Sequence, residues 1–183
     1  MKRLFIVIIV LGILSVPVAI GYNRMVHMEE MPENEMEEAV EMTSIDSLVV
    51  LKSKREIRAY LSGRYLKTYK VALGDAPVGH KQFEGDEKTP EGLYRINDRN
   101  PNSSYHKNLG ISYPNAKDKA YAKSKGKSPG GDIKIHGLPN GQGYLGKLHL
   151  ATDWTNGCIA VTDEEIDELF KFVKIGSPIQ ILP

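Results

Sequence analysis

An uncharged apolar run of 17 residues, Leu4 to Ile20, follows Lys2 and Arg3 at the start of the chain. A short basic start before such a run is the pattern of a secretory signal or a signal anchor. Seventeen residues lie at the lower limit for crossing a bilayer, Pro17 interrupts a continuous helix, and Ala19-Ile20-Gly21 places small residues where a signal peptidase cuts. Residues 1–21 are therefore expected to be a signal peptide or a membrane anchor. The rest of the chain is then exported, periplasmic or otherwise extracytoplasmic, and meets the membrane only through residues 4–20. The segment from Tyr22 to Thr43 is equally unsuited to a core, with seven glutamates and five of the six methionines. Residues 22–44 read as an acidic, solvated spacer, the alternative being a thioether site for a soft metal such as copper. Residues 45–183 remain to fold, enough for one domain of ordinary size.

Charge narrows the function classes. The whole chain has a formal net charge of +1, against the strong basic excess of a dedicated nucleic-acid binder. Within residues 45–183, however, 21 basic side chains face 16 acidic ones. The excess gathers at Lys117, Lys119, Lys123, Lys125 and Lys127, which suits either an anionic polymer such as a cell wall or a solvated loop face. Cys158 is the only cysteine, so neither an intrachain disulfide nor a four-cysteine zinc site can form. The chain has no His-Glu-x-x-His pair, no Gly-x-Ser-x-Gly elbow and no Walker-type phosphate loop. No metal and no cofactor is expected.

Short segments rich in branched and aromatic residues run from Ser47 to Leu51, Glu56 to Leu61 and Leu66 to Leu73, with Ser62-Gly63 at hairpin spacing between the last two. Another strand is expected at Leu93 to Ile96, after the turn-like Thr89-Pro90-Glu91-Gly92. From Asn97 to Gly131 the chain is full of Asn, Pro, Ser, Lys and Gly, and reads as a long loop of the kind that forms a lid or a substrate wall. Strand pattern returns at Asp132 to Leu138 and at Cys158 to Val161. Thr162-Asp163-Glu164-Glu165 is a capping box, and Ile166, Leu169, Phe170 and Val173 then fall on one helical stripe. Gly176 ends that helix and Pro178 to Leu182 forms a last strand. The expected fold is mainly β, with one helix near the C-terminus packed on it.

In Ile133-Lys134-Ile135-His136 the two isoleucines face one side while Lys134 and His136 face the other. His136 thus emerges on the polar side of a strand. Cys158 follows Thr155-Asn156-Gly157 and precedes Ile159-Ala160-Val161, and Gly157 lets the backbone turn there and bring amides toward a reacting carbonyl. A free thiol in an oxidising compartment is exposed to mispairing. It reads either as a nucleophile activated by an imidazole or as a small buried hydrophobe. His149, between Leu148 and Leu150, reads as a partly buried histidine and a fallback base; His80 and His106 lie in loops that can touch substrate.

Ile135-His136-Gly137 followed by Thr155-Asn156-Gly157-Cys158-Ile159 resembles the signature of the L,D-transpeptidase (YkuD-type) catalytic domain, a His, a spacer, then Ser/Thr-His-Gly-Cys and an apolar residue. Gly74 to Lys81, Lys88-Thr89-Pro90-Glu91-Gly92-Leu93-Tyr94, Gly110 to Asn115, Ser128 to Asp132 and Gly176 to Ile179 extend the likeness over about residues 46–183. The family's usual histidine two places before the cysteine is Asn156 here, and its frequent arginine two places after is Ala160. The separation of His136 from Cys158 is also longer than in many members, with Asn140 to Leu150 as the enlarged loop.

The resemblance implies a β-sandwich or barrel-like catalytic domain over residues 45–183. It further implies acyl transfer on peptidoglycan stem peptides. Cys158 would attack the carbonyl of the third stem residue and expel D-alanine, His136 would serve as base, and backbone amides around Gly157 would hold the oxyanion. Asn156, Thr155, Trp154, Gly137, His80 and Tyr94 would contact substrate. The acceptor amine would come from a second stem, giving a 3→3 cross-link, or from a wall-anchored protein, and a carbapenem would acylate the cysteine. An L,D-carboxypeptidase using water at the same site, or a wall-binding module with an inert cysteine, are the competing readings.

Overall fold

The computed structural model describes residues 44–183. The expected signal and nearly all of the acidic spacer lie outside the described residues. Among the described residues no helix is long and apolar enough to cross a membrane.

Three short strands open the domain: β1 (Ser47–Leu51), β2 (Glu56–Leu61) and β3 (Arg64–Lys70). The two-residue connection Ser62-Gly63 has positive φ at both positions, 52° and 79°. That is the twist a tight hairpin needs, and Leu61 pairs with Arg64 across it. There follow β4 (Gly92–Ser103), β5 (His106–Ile111), α1 (Ala116–Ser124), β6 (Lys134–His136), β7 (Ile159–Ala160), α2 (Asp163–Phe172) and β8 (Pro178–Leu182), with a short 3₁₀ segment over Gly143–Ala151.

The strands form one eight-stranded sheet in the order β3-β2-β1-β8-β4-β5-β6-β7. β4 serves both halves of it. Gly92 to Arg95 pair with β8, while Ile96 to Ser103 pair with β5 through two register irregularities. Such irregularities bend a strand and increase its twist, so the sheet curls into a half-barrel. The chain leaving β3 then returns to the opposite end of the strand order. There Ala72 and Ala160 exchange N–H···O bonds of 3.0 and 2.9 Å.

The concave side is filled by alternate residues of the strands, among them Leu48, Val50, Ile57, Tyr69, Ile96, Leu109, Ile135, Ile159, Ile179 and Ile181. α2 closes this core against β5 and β6. Its capping box forms: Thr162 Oγ1 accepts from Glu165 N–H and Glu165 Oε2 accepts from Thr162 N–H. Ile166, Leu169 and Val173 from the apolar stripe are fully buried, and Phe170 packs at the edge.

The expectation of one helix and a long loop from Asn97 to Gly131 is corrected here. That stretch contains the outer half of β4, all of β5 and the helix α1. Asp98 to Ser103 is polar on both faces, so no alternation marks it as a strand; pairing with β5 makes it one. α1 has no apolar stripe either. Its signal lies in Asn115, whose Oδ1 accepts from the N–H groups of Lys117 and Asp118, while Asp118 Oδ2 accepts from Asn115 N–H.

Ile166 joins α2 to the strands that carry the candidate site. Ile166→Ala is expected to destabilise the domain by about 3 kcal/mol through the cavity it leaves, read from denaturant unfolding.

Candidate active site

Cys158 stands at the end of a turn that is latched from inside. Buried Thr155 accepts at Oγ1 from Gly157 N–H (3.1 Å) and donates the same hydroxyl to Cys158 O (2.7 Å). The turn is held to the chain leaving β3, where Trp154 N–H and Thr155 N–H both donate to Leu73 O and Asp75 N–H donates to Thr155 O. Gly157 has φ 121°, and a Cβ there would lie 2.6 Å from Lys88 O. No other residue fits that approach. Of the backbone amides expected around Gly157, that of Gly157 itself is engaged by Thr155. The neighbouring Cys158 N–H is left as the candidate donor.

His136 ends β6, which pairs in parallel with β7 and sets His136 beside Ala160. Its Nδ1 lies 2.7 Å from Gly137 O. A carbonyl only accepts, so Nδ1 carries the proton and Nε2 keeps its lone pair. Gly137 meets the imidazole through that carbonyl and is not among the residues lining the cavity of Cys158. A Cβ on it would lie 2.6 Å from Asp163 Oδ1, on the α2 side. The imidazole is flanked by Tyr105 (ring centroids 4.6 Å apart) and Trp154 (5.8 Å).

His149, the fallback base, sits behind Trp154. It accepts from Trp154 Nε1–H at 3.5 Å and is buried, with its own Nε2 unpartnered. It braces the indole and does not line the cavity of Cys158.

That cavity, about 400 Å³, brings together His136, Trp154, Thr155, Asn156 and Cys158 with Lys134, Asp132 and the Asn100–Asn108 hairpin. A second cavity of about 610 Å³ adjoins it and shares Asp132 and Asn156. Exposed Asn156 is therefore at the boundary of the two.

His80 and Tyr94 are elsewhere. His80 Nδ1 accepts from Glu91 N–H (2.9 Å), its Nε2 lies 3.2 Å from Asp118 Oδ1, and Tyr94 hydroxyl donates to Asp118 Oδ2 (3.0 Å). They line a separate cavity of about 560 Å³ and fasten α1 to the sheet through Asp118. Burial and the Asp118 carboxylate hold the Tyr94 hydroxyl protonated far above its ordinary range.

Two residues of the Cys158 cavity escape a reading of the sequence. Tyr105 and Asn108 reach it because β4 and β5 pair, and the pairing of β5 with β6 places Asn108 opposite His136. The only local signal is their position in the stretch expected to wall the substrate.

Burial sets the electrostatics of the pair. It pushes the His136 imidazole below the usual histidine range, against the opposing bond to Gly137 O. It also pushes the Cys158 thiol up, against a backbone hydrogen bond from Lys134. Cys158 Sγ–H donates to Asp132 O at 3.4 Å. Both shifts favour the uncharged form of two groups that line the same cavity.

Residues 46–181 match the family described as YkuD, L,D-transpeptidase catalytic domain. The chain is 33% identical over 132 residues to the Escherichia coli (strain K12) protein named "Putative L,D-transpeptidase YafK", over 68% of this chain and 45% of that one. Among solved structures it is similar to the helical cell shape determining protein Pgp2 from Campylobacter jejuni. That likeness has 27% identity and a TM-score of 0.56, over 80% of this chain and 52% of that one. An L,D-transpeptidase from Mycobacterium smegmatis, at 12% identity and a TM-score of 0.50 over 74% and 58% of the two chains, shares the fold alone. The chain thus spans about half the length of the Escherichia coli and Campylobacter jejuni relatives.

A neutral pair has a measurable signature. The alkylation rate of Cys158 by iodoacetamide should stay low through neutral pH and inflect above 9.0, the ordinary value its thiol exceeds. An inflection near or below the ordinary histidine range would instead mean a preformed thiolate–imidazolium pair.

Proposed function

This chain belongs to the L,D-transpeptidase catalytic-domain family, and on that premise we propose that it is a cysteine acyltransferase acting on peptidoglycan stem peptides outside the cytoplasm. The observation that carries the reading is the tautomer of His136. Nδ1–H is committed to Gly137 O, which leaves the lone pair on Nε2, and His136 lines the same cavity as Cys158.

His136 Nε2 takes the thiol proton as Cys158 Sγ bonds to the carbonyl carbon of the third stem residue. The oxyanion is met by Cys158 N–H, a contact of a kind worth about 3 kcal/mol in such sites. Collapse breaks the peptide bond, and the leaving D-alanine amine receives the proton from His136. The acyl group is now a thioester on Cys158. An acceptor amine then loses a proton to His136, attacks the thioester and releases the thiol. The adjoining cavity on the Asp132 and Asn156 side supports entry of that acceptor from a different direction than the donor. The acceptor is a second stem or a wall-anchored protein.

A second reading is favoured by the partial exposure of Cys158. Water resolving the same thioester would release a tripeptide, making the protein an L,D-carboxypeptidase.

The test is turnover of disaccharide-tetrapeptide, followed by released D-alanine. Cys158→Ala should abolish it with the melting temperature retained. His136→Ala should lower it by about 10²–10⁴, while His149→Ala, which loses only the brace on Trp154, should keep most of it. If His149→Ala proves as damaging as His136→Ala, the base is misassigned.

A further inference from the structure

The lysine cluster has no part in the Cys158 chemistry. Lys117, Lys119 and Lys123 project from α1, and Lys125 and Lys127 from the turn after it, and all five are exposed. None forms an ion pair among the described residues. By contrast Lys52, Lys67, Lys70, Lys81 and Lys107 each meet a carboxylate at 2.6–2.8 Å. The only carboxylate of α1, Asp118, is buried and already engaged by Tyr94, His80 and the cap of the helix.

Helix physics does not account for the arrangement. A cation in the last turn, such as Lys123, suits the dipole, but Lys117 in the first turn opposes it. Lys119 and Lys123, four residues apart, repel on one face. Two of the charges are also held in place. Lys127 Nζ sits 4.5 Å from the centroid of Phe83 and Lys125 Nζ 5.8 Å from that of Tyr121, and the two rings stack at 6.0 Å. Ammonium groups fixed over aromatic rings lose less freedom when they bind an anion.

Position supplies the rest. Ser128, Gly130 and Gly131, which follow the cluster, line the cavity that shares Asp132 and Asn156 with the cavity of Cys158. We infer that the lysine face of α1 and its following turn is a docking surface for a carboxylate-bearing peptidoglycan strand, which it seats on the acceptor side of Cys158. The identity of the strand rests on the proposed function; the existence of a polyanion surface does not. Binding relieves the repulsion among the lysines and screens with salt, since every contact is exposed.

The test uses the full chain carrying Cys158→Ala, so that binding is read without turnover. This protein should co-sediment with purified peptidoglycan sacculi at low salt and be released at about 0.5 M salt, where the screening length is only a few ångströms. Replacing all five lysines by Gln should weaken co-sedimentation about tenfold or more with the melting temperature unchanged. Should the fivefold variant misfold, the pair Lys123→Glu and Lys127→Glu must give the same loss. Equal sedimentation of the lysine variants overturns the inference. So does lysine-dependent binding to duplex DNA that exceeds binding to sacculi. Absence of turnover in the unmodified protein would count against the proposed function alone, because the sedimentation result is independent of it.

Discussion

Two ladders meet on a strand of two residues, and the candidate site depends on both. β7 is paired in parallel with β6, which fixes His136 beside Ala160, and Val161 N–H donates to His136 O at 3.0 Å. On its other side Ala160 exchanges two hydrogen bonds with Ala72. The sulfur-bearing residue just ahead of β7 is thereby held between the end of the sheet and the chain that leaves β3. The latch of Thr155 on Gly157 and Cys158 completes the restraint. A thiol placed by backbone bonds of this kind has little freedom left to lose.

The same burial that packs the site also decides its protonation. Desolvation opposes charge on both members, pushing the His136 imidazole below its ordinary range and the Cys158 thiol above its own. Gly137 is the hinge of this arrangement. Its carbonyl fixes the tautomer of His136, and the lack of a side chain lets α2 approach, with Asp163 Oδ1 also accepting from Leu138 N–H at 2.8 Å. Asp163 at the start of α2 therefore touches the peptide segment that holds the His136 imidazole.

Local patterns were readable in the sequence, and contacts between distant segments were not. The hairpin at Ser62-Gly63, the capping box at Thr162 and the alternation of Ile133 and Ile135 each depend on neighbours a few residues away, and each is found as expected. The likeness to a family covered the chain that the family match later spanned. His80 and Tyr94 belong to an upstream stretch of the same likeness, but Asp118 draws them into a different cavity. β5 offers only Leu109 and Ile111 as apolar signal within a polar stretch, and α1 offers no stripe; pairing with β4 and the Asn115–Asp118 cap stabilise them. Tyr105 and Asn108 were missed for the same reason. The role of Gly157 N–H turned on a hydroxyl bond from Thr155 that spacing does not reveal.

The central claim is that Cys158 becomes an acyl carrier for a stem peptide. Intact-mass spectrometry of the protein quenched in acid during incubation with disaccharide-tetrapeptide tests it most directly. A mass gain equal to the disaccharide-tripeptide acyl group, mapped by peptide digestion to Cys158, is expected. An unmodified Cys158 during confirmed consumption of the substrate would contradict it.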